Sequence, residues 1–253
     1  MFYNKNMKLY RYRKPNLHSV EELFSNTVQF TKYSKFQKLG ELDYFTNKKL
    51  LSFEESDQAI EHLTEIVKNN VLTNYYMACF STKGPFDKNS PRIQYSGKNG
   101  FCIEYDLDSL NDYIHLAYRK YSYLLQIGKV KYSSKKYDLS PIVNEMYKAV
   151  QDSGAQTGPE KEKVLESLIE SGSVNENAQE CVINSFYQKK LAYRTDSEYR
   201  IVLQKPNDER EFVLLKGFIV RPIHIYISTN IPLLILQKII YYCKTQFIGW
   251  EYI

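Results

Sequence analysis

Residues 77–106 read MACFSTKGPFDKNSPRIQYSGKNGFCIEYD. The apolar run Met77-Ala78-Cys79-Phe80 leads into Ser81 and Thr82, and a polar loop with Gly84, Pro85 and Pro91 follows. The chain turns at Gly97-Lys98-Asn99-Gly100 and re-enters as Phe101-Cys102-Ile103-Glu104-Tyr105. Both runs are short, rich in apolar or aromatic residues, and bounded by turn formers. Buried or half-buried strands have this pattern. The stretch is two core strands flanking a loop that can form a site.

Working outward, Met7 to Arg13 mostly alternates apolar or aromatic with basic residues, close to the period of a strand, and Pro15 stops it. Ser19-Val20-Glu21-Glu22 has the form of a capping box and predicts a short helix after Ser19. Thr27 to Phe30 reads as a strand, and a second capping box at Ser52 predicts a helix from Phe53 to Asn69. Val71 to Phe80 carries the first central strand. Asp108 is placed to cap a helix that Gly128 ends, and Val130-Lys131-Tyr132 reads as a strand. Ser140-Pro141 starts another helix, and further helices are expected at 160–171 and 174–191. Tyr199 to Leu203 and Glu211 to Leu215 read as a hairpin about Asn207-Asp208. Ile223 to Ser228 is a strand, Asn230 caps a closing helix, and Gln246 to Tyr252 adds a last strand. The sum is a single α+β domain over 1–253, with a largely antiparallel mixed sheet, flanking helices and a helical insertion at about 139–191.

With 43% hydrophobic and 25% charged residues, the composition is that of a globular chain. The net charge of +5 is mild and interspersed, so it permits nucleic-acid binding without marking a basic stripe. Cys79, Cys102, Cys181 and Cys243 form no C-x-x-C pair, and three lie in apolar runs. Free thiols in a reducing compartment are expected, with no metal site. The apolar run at 231–243 is too short to span a membrane, and the start has no secretory pattern, so a cytoplasmic location is expected.

P-loop, G-x-G-x-x-G, H-E-x-x-H and G-x-S-x-G signatures are absent, and His18, His62, His115 and His224 lack ligand spacing. Three local features remain. Alternation puts Arg11 and Arg13 on one face of their strand, where two guanidiniums suit a phosphate or pyrophosphate, or where charge keeps an edge strand soluble. Ser81 and Thr82 end a strand, with Tyr95 and Ser96 ahead of the next. Such hydroxyls hold a ribose or an amide, or cap turns. Asp196, Glu198 and Arg200 share a face of an extended segment, as a cleft wall or as a solvent ladder; the ladder costs less, because buried charges need partners. Lys189 and Lys190 stand upstream and could pair with that face.

In order along the chain stand Leu9-Tyr10-Arg11-Tyr12, Cys79-Phe80-Ser81, Tyr95 ahead of Gly100 to Tyr105, Val130-Lys131-Tyr132, and Lys189…Tyr193…Asp196-Ser197-Glu198-Tyr199-Arg200. This order resembles the bacterial family catalogued as domain of unknown function 2971. The chain departs from that pattern in lacking an N-D-P-F segment within 31–45, in lacking a tryptophan and histidine near Tyr95, and in carrying Asp196 for the first glutamate. The resemblance implies antiviral defence, abortive-infection or toxin–antitoxin settings. Arg11, Ser81 and Glu198 also resemble the Arg-Ser-Glu layout of ADP-ribosyltransferases. That likeness implies NAD as the nucleotide, Glu198 and Asp196 as catalytic acids, and Arg11, Arg13, Ser81, Thr82, Tyr95 and Arg200 as its binding groups. Transfer of ADP-ribose to a macromolecule is one expectation. A non-enzymatic module holding a partner protein or nucleic acid is the other.

Overall fold

The computed structural model describes residues 7–37, 74–121, 125–134, 140–156, 159–161, 163, 164, 167, 184–205, 208–215 and 217–253. The expected helix 53–69 lies outside them, as does most of the expected pair 160–171 and 174–191.

The centre is β3 (Tyr75–Ser81), which contains the apolar run Met77 to Phe80. One edge of β3 pairs along its whole length with β8 (Glu198–Gln204), which pairs in turn with β5 (Leu125–Lys129). The other edge is shared. Tyr76 and Met77 pair with β2 (Gln29–Lys32), while Ser81 alone pairs with Tyr10 of β1 (Lys8–Arg13). Beyond β1 lie β4 (Phe101–Asp106), β10 (His224–Ile227) and β11 (Gly249–Tyr252); beyond β2 lies β9 (Phe212–Leu214). All these pairings are antiparallel except β10 with β11. A separate parallel pair joins β6 (Lys131–Ser133) to β7 (Gln188–Lys190). The α+β class with a largely antiparallel sheet is thus as expected from the strand patterns.

The sheet therefore forks at β3, and among the described residues no strand lies beside the middle of that edge. A backbone carbonyl left there would lack a donor. Arg11 supplies one. Its Nη1 donates to the carbonyl of Cys79 at 3.2 Å, and its Nη2 donates to that of Gln29. The counter-charge is Glu22, which is fully buried. Its Oε1 lies 2.8 Å from Arg11 Nε and accepts the Gln29 backbone N–H at 3.0 Å; its Oε2 lies 2.9 Å from Arg13 Nε. Both Nε contacts are ion pairs without hydrogen-bond alignment.

Three helices cover one face: α1 (Leu17–Phe24), α4 (Leu107–Tyr121) and α6 (Leu233–Gln246). Val20, Leu23, Leu110, Tyr113, Ile114, Ile235, Ile239 and Tyr242 pack there against Leu9, Phe80, Ile103, Ile201 and Ile225. The shorter helices are α2 (Tyr33–Gln37) and α3 (Arg92–Ser96), and α5 spans Ser140–Asp152. Gly100 is required where it stands, because a Cβ there would come within 2.3 Å of the Ser96 carbonyl and 2.5 Å of the Arg13 carbonyl.

Several expectations change. Asn16, not Ser19, caps α1, accepting the Ser19 N–H at 2.9 Å, and Glu22 of the supposed capping box turns inward to the arginines. Asp106, not Asp108, caps α4, accepting the Ser109 N–H at 3.0 Å. The helix is described to Tyr121, and Gly128 does not end it but sits inside β5, where the Tyr187 ring would clash with a Cβ at 2.8 Å. β8 and β9 form no hairpin with each other, because β3 and β5 occupy both edges of β8. Gln188–Lys190, expected in a helix, is a strand. The closing helix starts after Pro232, two residues past Asn230. The arginines of β1 lie on the helix-covered side with Leu9, not on an open face, since only there does Glu22 meet them.

Removing one member of a buried ion pair leaves the other charge uncompensated. Arg11→Met and Glu22→Gln should each lower unfolding stability by about 3–5 kcal/mol. The effect should appear as an earlier denaturation midpoint at constant slope. Arg13→Met should cost less, because that side chain is 17% exposed. The double change Arg11→Met with Glu22→Leu should recover part of the loss.

Candidate functional site

Over the fork lies a pocket of about 480 Å³. Its walls include Arg11, Arg13, Lys14, His18 and Gln29 at one end and Ser81, Tyr95, Lys189, Asp196 and Glu198 at the other, with Tyr10, Tyr12, Phe36, Phe80 and Phe212 between. The expected residues Arg11, Arg13, Ser81, Tyr95, Asp196 and Glu198 all line this cavity, but Arg11 and Arg13 reach it from the helix-covered side of the sheet, whereas Ser81 and Glu198, in register with Tyr10, lie on the opposite side. Thr82 and Arg200 are outside its walls. Thr82 holds the Ser197 carbonyl through its backbone N–H at 2.9 Å, and Arg200 stands behind Glu198.

The acidic end is built by a turn. A 3-10 helix over Leu191–Asp196 brings the chain back, and Ser197 adopts a left-handed conformation at φ 46°. The residues flanking that turn, Asp196 and Glu198, then both aim at Lys189 of β7. Lys189 Nζ is 2.9 Å from Asp196 Oδ2 and 3.0 Å from Glu198 Oε2, and it donates to the Tyr95 hydroxyl oxygen at 3.1 Å. The ammonium also sits 4.7 Å from the centre of the Tyr193 ring. An ammonium has three donors, and each has an acceptor here. Tyr95 donates its own proton to Asp196 Oδ2 at 2.5 Å. Behind them, Arg200 Nε donates to Glu198 Oε1 at 2.7 Å and Nη1 donates to the Phe186 carbonyl at 2.6 Å. Lys189, Asp196, Glu198 and Arg200 are all at most 5% exposed. The acidic segment is therefore a cleft wall, not a solvent ladder, and Lys189 is what makes its burial tolerable.

The electrostatics follow from this pairing. Burial alone would raise the Glu198 carboxyl, but the charges of Arg200 and Lys189, with hydrogen bonds from Arg200 and the Cys79 thiol, outweigh it and hold it down at about 2. Burial pushes the Tyr95 phenol up; Lys189 opposes this, while Glu198 and the bond to Asp196 add to it. Tyr95 is thus a proton donor at neutral pH and Glu198 a fixed anion. Burial would depress Arg200, yet Glu198 raises it further above its ordinary value. The Ser81 hydroxyl donates to the Asp196 carbonyl at 2.7 Å and accepts the Lys83 N–H at 3.0 Å, so it ties β3 to the turn.

At the other end, Lys14 is exposed and makes no ion pair among the described residues. Glu22 offsets one of the two arginines, and Lys189 with Arg200 balances Asp196 with Glu198, so the positive excess is one arginine charge and Lys14. The excess of positive charge suits an anionic ligand. Among the described residues, no group of three or more His, Cys, Asp or Glu is placed to hold a metal ion, and no helix is long and apolar enough to cross a membrane. Lys14, His18 and Glu22 were not marked by the sequence pattern as site groups. Lys189 stands in the sequence pattern as the first residue of the run Lys189…Tyr193…Asp196-Ser197-Glu198 and as a possible partner of the acids, without a role in the site. Comparison of the chain with family models, curated proteins and solved structures finds no match.

Glu198 binds a proton near 4.5 in the unfolded chain and near 2 in the folded one. The unfolded state therefore binds more protons between those values, and stability falls as pH drops through that window. Glu198→Gln should be less stable than the wild type at pH 7, and the gap should shrink as pH falls from about 4.5 towards 2. Chemical denaturation across that range measures it.

Proposed function

We propose that this chain is a member of the domain-of-unknown-function 2971 family, acting in bacterial defence or a toxin-type system. In this reading its pocket binds NAD and transfers ADP-ribose to a macromolecule. The observation that carries the reading is an ionised, buried carboxylate, Glu198, on the wall of a cation-rich pocket. A glycosidase that protonates its leaving group needs a carboxyl raised towards neutrality. Glu198 is shifted the opposite way, which suits a leaving group that needs no proton. Nicotinamide is one: the bond from ribose C1′ to the ring nitrogen breaks, and its electron pair neutralises the pyridinium. The new bond joins C1′ to an oxygen or nitrogen of the acceptor, whose proton passes to water.

The role of Glu198 is to hold the ribose hydroxyls and steady the positive charge that develops at C1′. Each carboxylate oxygen has two acceptor sites, so the pairing with Arg200, Lys189 and the Cys79 thiol leaves one for a ligand hydroxyl. Asp196 and Lys189 fix its orientation. The pyrophosphate falls to Lys14, because the Arg11 guanidinium is committed to Glu22 and two carbonyls, and that of Arg13 to Glu22 and the Gln29 side-chain oxygen. Arg11 and Ser81 thus support the site by positioning its walls. Thr82 and Arg200 do so from outside the pocket.

The second reading, a non-enzymatic module of an abortive-infection or toxin–antitoxin system, draws on one feature: each charge of the Lys189 cluster is already paired within the chain. It predicts partner or RNA binding with a steep salt dependence.

Purified protein should bind and consume NAD. Glu198→Gln should lower turnover by about 10²- to 10³-fold with little change in NAD affinity. Lys14→Ala should weaken affinity with turnover nearly unchanged. Absence of NAD binding, or equal turnover by Glu198→Gln, overturns the enzyme reading.

A further inference from the structure

Beside the pocket, on the same sheet face, lies a second cluster that the NAD reading does not use. The pairing of β1, β4 and β10 sets Tyr10, Glu104 and His224 in one row across the strands. Glu104 is 1% exposed. Its Oε2 accepts the Tyr226 hydroxyl at 2.5 Å. Its Oε1 makes no hydrogen bond but lies 2.5 Å from the ammonium of Lys8, whose side chain is 53% exposed. Aromatic rings surround Tyr226: Tyr10 at 6.3 Å, the exposed Phe86 at 5.9 Å and His224 at 4.8 Å between centres. His224 can lie there because Gly249 has no side chain; a Cβ would approach its Nδ1 to 2.7 Å. Glu251 stands 3.6 Å from His224 Nε2, and the charge of Asp87 is felt at Tyr10.

A carboxylate this deeply buried needs a counter-ion. Here the counter-ion is held from one side by a flexible lysine in half-open solvent. Only the lysine end of this pair is solvated, so Lys8 can swing away into water while Glu104 stays in place. Glu104 itself has already lost its water to Tyr10, Tyr226 and His224. An incoming ammonium therefore meets a carboxylate whose desolvation accompanied folding, and binding to a preorganised group avoids that cost. The surrounding π-faces and the acids Asp87 and Glu251 favour the same sign of charge.

We infer that this face is a recognition site for the ammonium of a lysine side chain on a partner polypeptide, and that Lys8 holds the place until the partner arrives. Tyr10 is a wall of both this site and the pocket. A bound partner lysine stands directly beside the cavity. The inference rests on Glu104 and its surroundings, and it holds whether or not the pocket takes NAD.

The probe is Nα-acetyl-lysine amide, with Nα-acetyl-norleucine amide as its neutral counterpart, titrated against the full chain and followed through the ring resonances of Tyr10 and Tyr226. The lysine probe should bind saturably and the norleucine probe should not. Lys8→Met, checked for its fold by circular dichroism because it leaves Glu104 without its counter-ion, removes the internal competitor and keeps the aliphatic stem, so affinity should rise severalfold. Glu104→Gln, checked for its fold by circular dichroism, should abolish binding. If that variant does not fold, the comparison of wild type with Lys8→Met decides alone. No saturable binding to either protein, or equal affinity for both, overturns the proposal.

Discussion

The carboxylate of Glu22 is the group on which this architecture turns. It sits fully buried between Arg11 and Arg13 and also accepts the Gln29 N–H. Without that anion, Arg11 could not be buried in the crotch of the sheet. Without Arg11, the carbonyls of Cys79 and Gln29 would face a gap that no strand among the described residues fills. β1 and β2 are then free to leave β3 in different directions. The cavity is the space between them. A continuous ladder along the edge of β3 would have closed it.

The second constraint is charge neutrality away from water. Two acids, a lysine and an arginine are buried within a few ångströms, and each is tolerable only because the others are there. Ser197 makes this possible. Its left-handed backbone lets residues on either side of it face the same ammonium, which a regular strand could do only by keeping both on one open face. The chemical result is directional. A carboxylate gripped by two cations resists protonation, so it acts through its charge, and a phenol held among carboxylates keeps its proton. Proton donation by Glu198 is disfavoured by the same contacts that make stabilisation of a cation its natural role.

Much of the secondary structure was legible because it follows local pattern. The run at Met77 and the run at Phe101 became β3 and β4, since apolar side chains between turn residues have few other stable arrangements. The stripe Leu110, Tyr113, Ile114 and Ala117 became the buried face of α4. Misreadings arose where a residue's meaning depends on a distant partner. Ser19-x-x-Glu22 has the spacing of a cap, but Glu22 serves arginines from another element. Asp196, Glu198 and Arg200 have the look of a soluble ladder, and Lys189, on a separate strand, reverses that. Gly128 looks like a helix stop and is instead the flat spot against which Tyr187 packs. In each case the local signal was correct in chemistry and silent about what stood opposite.

Taken alone, the order of residues determined the α+β class, the core strands, and the small set of charged and hydroxyl side chains from which a site could be assembled. These follow from periodicity and turn chemistry, which act over a few residues. The fork at β3, the inward turn of Glu22, the burial of the acids around Lys189 and the partnership of Glu104 with Lys8 were decided only by tertiary structure. Each depends on which charge meets which across long stretches of chain. Burial of a charge is settled by its counter-ion, and the counter-ion is chosen by the fold.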